Sequence, residues 1–232
     1  MSHKQLFCFT YAGGISSFFD EIEKDLYGIE VVKFEYAGHG SRHKEPFYKD
    51  FNELADDIFS LLKMSYKGSN YSLFGYSMGS ISLVEVLKRI IQSNMPLPEY
   101  VFLAAHEPHT KSELLGYREE ELDEYVKQRT IQFGAVPKEL ENNKVFWRTY
   151  LPIYRADYSL IAKYNFKELN IKTSIPACVF YSEEDTPLKD MKLWENYFPC
   201  EFYRFTGAHF FIQQHHEEMG RIIKEKLGVE QQ

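Results

Sequence analysis

The chain has 232 residues, a mass of 27.4 kDa and a formal net charge of -7 at pH 7. Its content of 44% hydrophobic and 16% aromatic residues is typical of a globular protein with one buried core, so we predict one domain spanning residues 1–232. The pI near 5.7 and the lack of a zinc-finger, RNA-binding or basic-region pattern argue against nucleic acid as a partner.

The apolar residues and the cysteines bear on where the protein resides. The apolar stretch in MSHKQLFCFTYAGG is too short for a signal peptide, and no run of about 18 apolar residues predicts a membrane span. Cys8, Cys178 and Cys200 have no CxxC spacing and are odd in number, which favours free thiols. We therefore expect a cytoplasmic protein in a reducing compartment, with no membrane partner.

Short β-rich runs alternate with longer amphipathic segments along the chain. Between the second and third runs, for example, apolar residues recur at helical spacing over residues 51–64. This alternation is typical of α/β proteins, and we predict a mostly parallel, doubly wound sheet of about six or seven strands. The strands are predicted at residues 5–10, 29–36, 71–75, 100–105, 176–182 and 201–205.

The interval between the fourth and fifth predicted strands is about 70 residues, which exceeds the need of one crossover helix. Residues 118–133 and 141–164 within it both have a helical pattern. We predict a helical lid inserted at approximately residues 110–170. An aromatic stripe on the second helix either packs on the core or lines an acyl pocket under the lid, and it comprises Phe146, Trp147, Tyr150, Leu151, Tyr154 and Tyr158.

The sequence LFGYSMGSIS contains a G-x-S-x-G motif centred on Ser77. Alone the motif is weak, but here it follows a predicted strand and opens a predicted helix, as a nucleophile elbow does. The nucleophile of such an elbow has a strained backbone, so the residues two before and two after it need little bulk. Gly75 and Gly79 meet that need.

A serine nucleophile needs a base, and the base needs a third group that orients it. In an α/β-hydrolase the chain order is Ser, then Asp or Glu, then His, on loops after later strands. Asp185 follows the fifth predicted strand and His209 follows the sixth, so we predict this pair. The alternative carboxylates are Glu184 and Asp190. The remaining candidate histidines are pocket, loop or solvated residues: His39, His106, His109, His215 and His216.

Acyl transfer also needs amide donors for the oxyanion, usually one after the nucleophile and one from an earlier loop. Met78 supplies the first, and Ala12 in YAGG is our choice for the second. Gly13 and Gly14 have the competing interpretation of a plain tight turn. If the sheet has the order 2-1-3-4-5-6, Ala12 and Ser77 meet at its topological switch point.

No metal or nucleotide cofactor is expected. The chain has no H-E-x-x-H or related spacing, GYSMGS lacks the lysine of a P-loop, and no G-x-G-x-x-G follows a strand.

Six blocks of the chain together resemble a known family. The blocks are CFTYAGG, EYAGHGSR, LFGYSMGS, FWRTYLPIYRADY, SEEDTPL and GAHFFI. In this order they are similar to the type II thioesterases, stand-alone α/β-hydrolases that accompany nonribosomal peptide and polyketide synthetases. The likeness covers nearly the whole chain, and the string containing Arg155, Asp157 and Tyr158 is characteristic of that family's lid.

The resemblance implies a serine thioesterase that removes unwanted acyl groups from the phosphopantetheine arm of carrier proteins, editing a synthetase in trans. It implies a triad of Ser77, Asp185 and His209, with the amides of Ala12 and Met78 as the oxyanion hole. The arm arrives as part of the substrate, so the enzyme itself needs no cofactor. The expected partners are acyl or peptidyl carrier domains, and we expect the enzyme to be a monomer.

The chain departs from the family pattern at four positions. Thr10 and Ala37 stand where proline is usual or frequent, Tyr76 where histidine is common, and Ser80 where glycine is frequent. None of these changes removes a catalytic group. We expect Tyr76 to change the shape or polarity beside the nucleophile, and with it the acyl preference.

Other functions fit parts of the same pattern. A hydrolase that releases a finished acyl, peptide or polyketide product, or that cleaves small esters, would have the same triad. A catalytically silent binding protein is disfavoured because the triad is intact, and acyltransferases and peptidases differ in chain order or surrounding pattern. Carrier proteins are commonly acidic, and the predicted lid offers basic residues for docking: Arg129, Lys138, Lys144, Arg148 and Arg155.

Overall fold

Six parallel strands form the centre of the fold, and the computed structural model describes residues 4–109 and 119–229 around them. The strand order is β2-β1-β3-β4-β5-β6 and every neighbouring pair is parallel, which confirms the predicted doubly wound sheet. The strands are β1 (Lys4–Phe9), β2 (Ile29–Lys33), β3 (Tyr71–Tyr76), β4 (Val101–Ala104), β5 (Ala177–Ser182) and β6 (Cys200–Phe205).

Seven α-helices connect or follow these strands in the described residues. The predicted helix at 51–64 is observed, as are those at 118–133 and 141–164, with ends that differ by up to three residues. Residues 110–118, where the predicted lid begins, lie outside the described residues. The helices are α1 (Asp20–Asp25), α2 (Phe51–Ser65), α3 (Met78–Gln92), α4 (Glu119–Gln132), α5 (Lys144–Lys163), α6 (Leu188–Met191) and α7 (Ile212–Lys226).

Strand β1 shows how the sheet divides the core into two layers. Successive side chains of a strand point to opposite faces, so Leu6 and Cys8 pack on one side while Phe7 and Phe9 pack on the other. Helices α1 and α7 cover the first side, and α2 and α3 cover the second. Apolar residues on both faces explain why β1 reads as a continuous hydrophobic run.

Helices α4 and α5 lie between β4 and β5 and form the helical insertion. The insertion has a small apolar core of its own, which includes Val126, Trp147 and Tyr154. Leu160, near the end of α5, packs instead with the main core. Helix α5 therefore runs from the insertion into the body of the protein.

Candidate active site

Ser77 occupies a sharp turn between β3 and α3. Its φ of 54° and ψ of -121° lie in a region that residues other than glycine rarely adopt. Its amide donates to the carbonyl of Ala104 at 2.8 Å, which ties the turn to β4. Ser77 is 8% exposed. The strand, strained turn and helix match the predicted nucleophile elbow.

The two glycines of the motif are required by close backbone contacts. A Cβ atom on Gly75 would lie 2.5 Å from the carbonyl oxygen of Gly79. One on Gly79 would lie 2.0 Å from the carbonyl oxygen of Phe9. Both distances are far below a van der Waals contact, so β1, β3 and α3 can meet at Ser77 only with glycine at both positions.

Ser77, His209 and Asp185 form one hydrogen-bonded chain. His209 Nε2 lies 2.9 Å from Ser77 Oγ, and His209 Nδ1 lies 2.9 Å from Asp185 Oδ1. The side chains of His209 and Asp185 are 7% and 6% exposed, so the chain is shielded from water. An imidazole held this way can take the serine proton while the carboxylate stabilises the resulting cation.

The two alternative carboxylates lie elsewhere. Glu184 Oε1 accepts a hydrogen bond from the amide of Gly207 at 2.9 Å, so this side chain joins the loop after β5 to the loop that carries His209. Asp190 lines the cavity in front of Ser77, but it makes no hydrogen bond to His209 among the described residues. Only Asp185 of the three carboxylates orients the imidazole.

Two aromatic side chains with no predicted contact to His209 hold it in place. The hydroxyl of Tyr76 donates to the carbonyl oxygen of His209 at 2.7 Å. Phe133, just after α4, stacks on the imidazole with ring centroids 4.2 Å apart and an interplanar angle of 22°. The backbone of His209 is therefore fixed from the body of the protein, and its ring is covered from the insertion.

Tyr76 lies behind Ser77 rather than in the wall of the cavity. Its side chain is fully buried and packs beside Phe18, Phe210 and Phe211, and it is absent from the cavity wall. The expectation that Tyr76 alters the surroundings of Ser77, and with them the acyl preference, stays a prediction. Its hydroxyl donates a hydrogen bond to the backbone carbonyl of His209.

The amides of Ala12 and Met78 are free to bind a ligand. Ala12 lines the same cavity as Ser77, and Met78 is the first residue of α3. In the part of the chain that the structure describes, no protein acceptor is hydrogen-bonded to either amide. Two free N–H groups, one of them at a helix N-terminus, suit a developing negative charge.

The turn that carries Ala12 is closed by a hydrogen bond from the amide of Gly14 to the carbonyl of Tyr11, at 3.0 Å. Gly13 has a φ of 78°, which glycine adopts without strain. Gly13 and Gly14 therefore do form a tight turn, as the competing interpretation predicted. The same turn leaves the amide of Ala12 without a hydrogen-bond partner among the described residues.

A cavity of about 330 Å³ opens in front of Ser77 and His209. The insertion forms one wall of the cavity. Two residues of the aromatic stripe, Tyr154 and Tyr158, lie in that wall. Trp147 and Leu151 pack in the small core of the insertion, whereas Tyr150 is 41% exposed. The stripe therefore serves both of the purposes that the sequence left open. The polar part of the wall includes His106, Glu107, His109, Arg129 and Asp190.

The remaining candidate histidines have other surroundings. His39 is buried, with Nε2 2.9 Å from Asp157 Oδ2. Burial lowers the pKa of His106, which favours its neutral form in the cavity wall. His215 and His216 are half-buried and lie close to Thr206 and Asp25, respectively, so the prediction that they are solvated is wrong in part.

Within the described ranges, no group of three or more His, Cys, Asp or Glu side chains is arranged to hold a metal ion. Among the same residues, none of the helices combines the length and the apolar character that crossing a bilayer requires.

Comparisons with known proteins place the chain in a family. A family model described as a thioesterase domain matches residues 4–227. A medium-chain S-acyl fatty acid synthase thioesterase of Rattus norvegicus is 30% identical over 217 residues, which are 90% of this chain and 82% of the relative. A probable cadicidin biosynthesis thioesterase of Streptomyces griseus is 28% identical over 96% of this chain and 62% of the relative.

A solved structure shows the same fold. The crystal structure of ClbQ from the colibactin NRPS/PKS pathway, that is, nonribosomal peptide and polyketide synthetases, has a TM-score of 0.86 at 22% identity and covers 98% of both chains. This likeness confirms the predicted α/β-hydrolase fold. From the family match and the rat relative together, we conclude that the chain belongs to the thioesterase domain family.

Proposed function

We propose that the protein is a serine thioesterase that hydrolyses acyl thioesters on the phosphopantetheine arm of carrier proteins. The observation that carries this proposal is the hydrogen-bonded chain of Ser77, His209 and Asp185 at the mouth of a cavity, in a member of the thioesterase family. The enzyme edits a nonribosomal peptide or polyketide synthetase in trans, as a monomer.

The geometry supports a two-step reaction. Ser77 Oγ attacks the thioester carbonyl carbon while its proton passes to His209 Nε2, and the oxyanion is bound by the amides of Ala12 and Met78. The carbon–sulfur bond breaks, and the pantetheine thiol leaves with the proton from His209. Water then attacks the acyl-serine, with His209 again as base, which releases the free acid and Ser77. Asp185 keeps the imidazole in the required tautomer throughout.

The surface of the helical insertion supports a carrier protein as partner. Lys138, Lys144 and Arg148 are exposed beside the start of α5. Arg129 lies over the ring of Phe133 and lines the cavity, and Arg155 is paired with Asp123, so these two contribute less to a free basic surface. Although the whole chain carries -7, screening acts over about 8 Å at physiological salt, and a local basic patch can attract an acidic carrier.

The names of two relatives support a synthetase as the setting, since one is a biosynthesis thioesterase and ClbQ belongs to an NRPS/PKS pathway. The rat relative favours a second candidate, release of a medium-chain acyl product, because its name assigns it to fatty acid synthase. The triad would be the same in both cases. The two functions differ in which acyl groups are hydrolysed.

One assay separates these candidates. The same acyl group is presented on a carrier protein, on coenzyme A and as an aryl ester, in an acetyl and a decanoyl series, with Ser77→Ala as the blank. We expect the highest kcat/KM on the carrier because its contacts add binding energy, and less than about tenfold preference between acyl lengths. Equal or better kcat/KM on coenzyme A or the ester would overturn the editing proposal. A preference for decanoyl by more than about 100-fold would favour product release.

A further inference from the structure

A buried carboxylate on α5 reaches the turn that carries Ala12. Asp157 Oδ2 accepts a hydrogen bond from the amide of Gly13 at 2.6 Å, and the same oxygen lies 2.9 Å from His39 Nε2. The side chains of His39 and Asp157 are only 1% and 3% exposed. The structure therefore places a charged pair inside the protein, beside the loop that the proposed mechanism uses and outside the triad.

The hydrogen-bond partners of His39 favour its protonated form. Nδ1 lies 3.0 Å from the carbonyl oxygen of Ala37, and Nε2 faces the carboxylate of Asp157. Neither oxygen can donate a hydrogen bond, so both ring nitrogens carry protons. Burial alone would lower the pKa of His39, but the attraction of Asp157 outweighs burial, and the pKa lies above its usual value. A buried ion pair of this kind fixes both partners firmly, because separating them would leave an unpaired buried charge.

The contact with Gly13 bears directly on the proposed oxyanion hole. The amide nitrogen of Gly13 belongs to the peptide that links Ala12 to Gly13, so the bond to Asp157 fixes the plane of that peptide. The proposed donor, the N–H of Ala12, lies in the preceding peptide of the same turn and is positioned through it. Tyr154, one turn before Asp157, closes the space above the turn, since a Cβ atom on Gly13 would lie 2.1 Å from its ring. Two side chains of α5 thus hold the turn from above.

We infer that Asp157 is a positioning residue for the oxyanion hole: from lid helix α5 it holds the Tyr11–Gly14 turn so that the amide of Ala12 faces the reacting carbonyl. This inference rests on the proposed function. Its consequence is that the hole is complete only when this part of α5 is seated on the body, so α5 stays in place during turnover. We then expect substrate to enter by movement of the part of the insertion that has no contact with Asp157, which is α4 and the residues after it.

Two variants of Asp157 and one control test the inference. Asp157→Ala removes the acceptor of the Gly13 amide. Asp157→Asn keeps an acceptor oxygen for the amide of Gly13 and removes the negative charge that faces His39, so it preserves the contact with the turn without the ion pair. Asp123→Asn is the matched control, because this α4 carboxylate pairs with Arg155 in the lid but contacts neither Gly13 nor His39 in the described residues.

Each protein is assayed with two probes. Octylthio-trifluoropropanone adds reversibly to Ser77 Oγ, whose proton passes to His209, and the resulting hemiketal oxyanion occupies the oxyanion hole. S-octyl pantetheine, a thioether without a carbonyl, reports binding in the cavity alone. Thermal unfolding and circular dichroism show whether each variant is folded.

We expect Asp157→Ala to lower kcat and to weaken the trifluoroketone by the same factor, about 10- to 100-fold, which is less than the loss of a whole oxyanion donor. Thioether affinity should change by less than about threefold. Asp157→Asn should stay within about fivefold of wild type with both probes because it keeps the hydrogen bond from the amide of Gly13. Asp123→Asn should do the same because a partly exposed ion pair contributes little. If Asp157→Ala does not fold, the Asn variant alone decides, and a loss above about tenfold in its trifluoroketone affinity overturns the inference.

Three further results would also overturn it. The first is a fall in kcat with unchanged trifluoroketone affinity, the second is an equal loss with both probes, and the third is an equal loss in Asp123→Asn. A wild-type enzyme that the trifluoroketone does not inhibit would instead contradict the proposed serine mechanism, so the two failures are distinguishable.

Discussion

The nucleophile elbow and the helical insertion supply opposite sides of the same cavity, yet they are built differently. Every side chain from Tyr71 to Leu87, through β3, Ser77 and most of α3, is buried. Of the described side chains at residues 121–132 in α4, only Val126 and Thr130 are buried. The elbow is thus fixed by close packing on all sides, whereas the insertion is held by a small core and by individual stacking and polar contacts.

This difference separates the chemistry from the choice of substrate. Packed interiors tolerate little change in volume, so the elbow positions Ser77 within a narrow range. The insertion contributes aromatic and charged residues to the cavity wall. Because few side chains of α4 are buried, residues there can vary with less effect on the packing around Ser77. We expect substitutions at the elbow to abolish activity and substitutions in the insertion to reduce it by degrees.

The largest effect is expected from Ser77→Ala. Since a triad acts as a unit, this change should lower turnover of an acyl-carrier thioester by about 10³- to 10⁶-fold. The melting temperature should stay near that of wild type because one buried hydroxyl is removed and no atom is added. Retention of more than about a tenth of the activity, with a folded protein, would remove Ser77 from the mechanism.

The second comparison is between adjacent carboxylates. Asp185→Asn should lower kcat by about 10³- to 10⁴-fold because it favours the wrong tautomer of His209. Glu184→Gln keeps an acceptor oxygen for the amide of Gly207 and should cost less than about fivefold. Both are measured by steady-state kinetics on one substrate. A reversed order of the two effects would show that the triad has the other carboxylate.

Alanine substitutions at Gly79 and Gly134 test the difference in packing between the elbow and the insertion. Gly79→Ala places a methyl group against the carbonyl of Phe9. We expect the free energy of unfolding to fall by about 3 kcal/mol or more, which is the upper end of the range for overpacking. Gly134 follows α4 and has a φ of 77° with open space around its Cβ position. Gly134→Ala should cost only the backbone strain, about 1 kcal/mol. Urea unfolding measures both, and equal losses would contradict the comparison.

Among the changes meant to remove a contact of the site, the smallest effect is expected at Phe133. Phe133→Ala removes the ring that stacks on His209, and an aromatic contact worth about 0.5–1.5 kcal/mol corresponds to a fall in kcat of about 2- to 12-fold. Phe133→Leu keeps much of the bulk and serves as the control for water exclusion. If both variants turn over substrate at the wild-type rate, the contact of the lid with His209 has no part in catalysis.

The sheet and the residues of the hydrogen-bonded chain, Ser77, His209 and Asp185, could be predicted from the sequence because both leave local signals. Each buried strand is a short apolar run, and the motif around Ser77 combines a strand, a glycine-flanked serine and a helix. Asp185 and His209 follow strand ends in the order that an α/β-hydrolase requires. Chain order was therefore enough to identify the three residues that the structure brings together.

The contacts that hold the site in shape could not be predicted in the same way. Asp157 meets Gly13 across 144 positions and His39 across 118, and the hydroxyl of Tyr76 meets the carbonyl of His209 across 133. No local periodicity encodes such pairs, because each depends on how two distant segments pack. For Asp157 a signal did exist, since it lies in the string that resembles the lid of type II thioesterases. For Phe133 we find no signal in the sequence.

The order in which the site is built during synthesis follows from the sheet. Ser77 and His209 are 132 positions apart, and the strand that precedes His209 is β6, at the edge of the sheet. Parallel pairings between distant segments form slowly, after their loops have closed. In a nascent chain that ends before β6, Ser77 has neither His209 nor the aromatic residues after β6 that pack on Tyr76. Ser77 is therefore made long before His209, and the hydrogen-bonded chain between them forms only after the last strand of the sheet has been added.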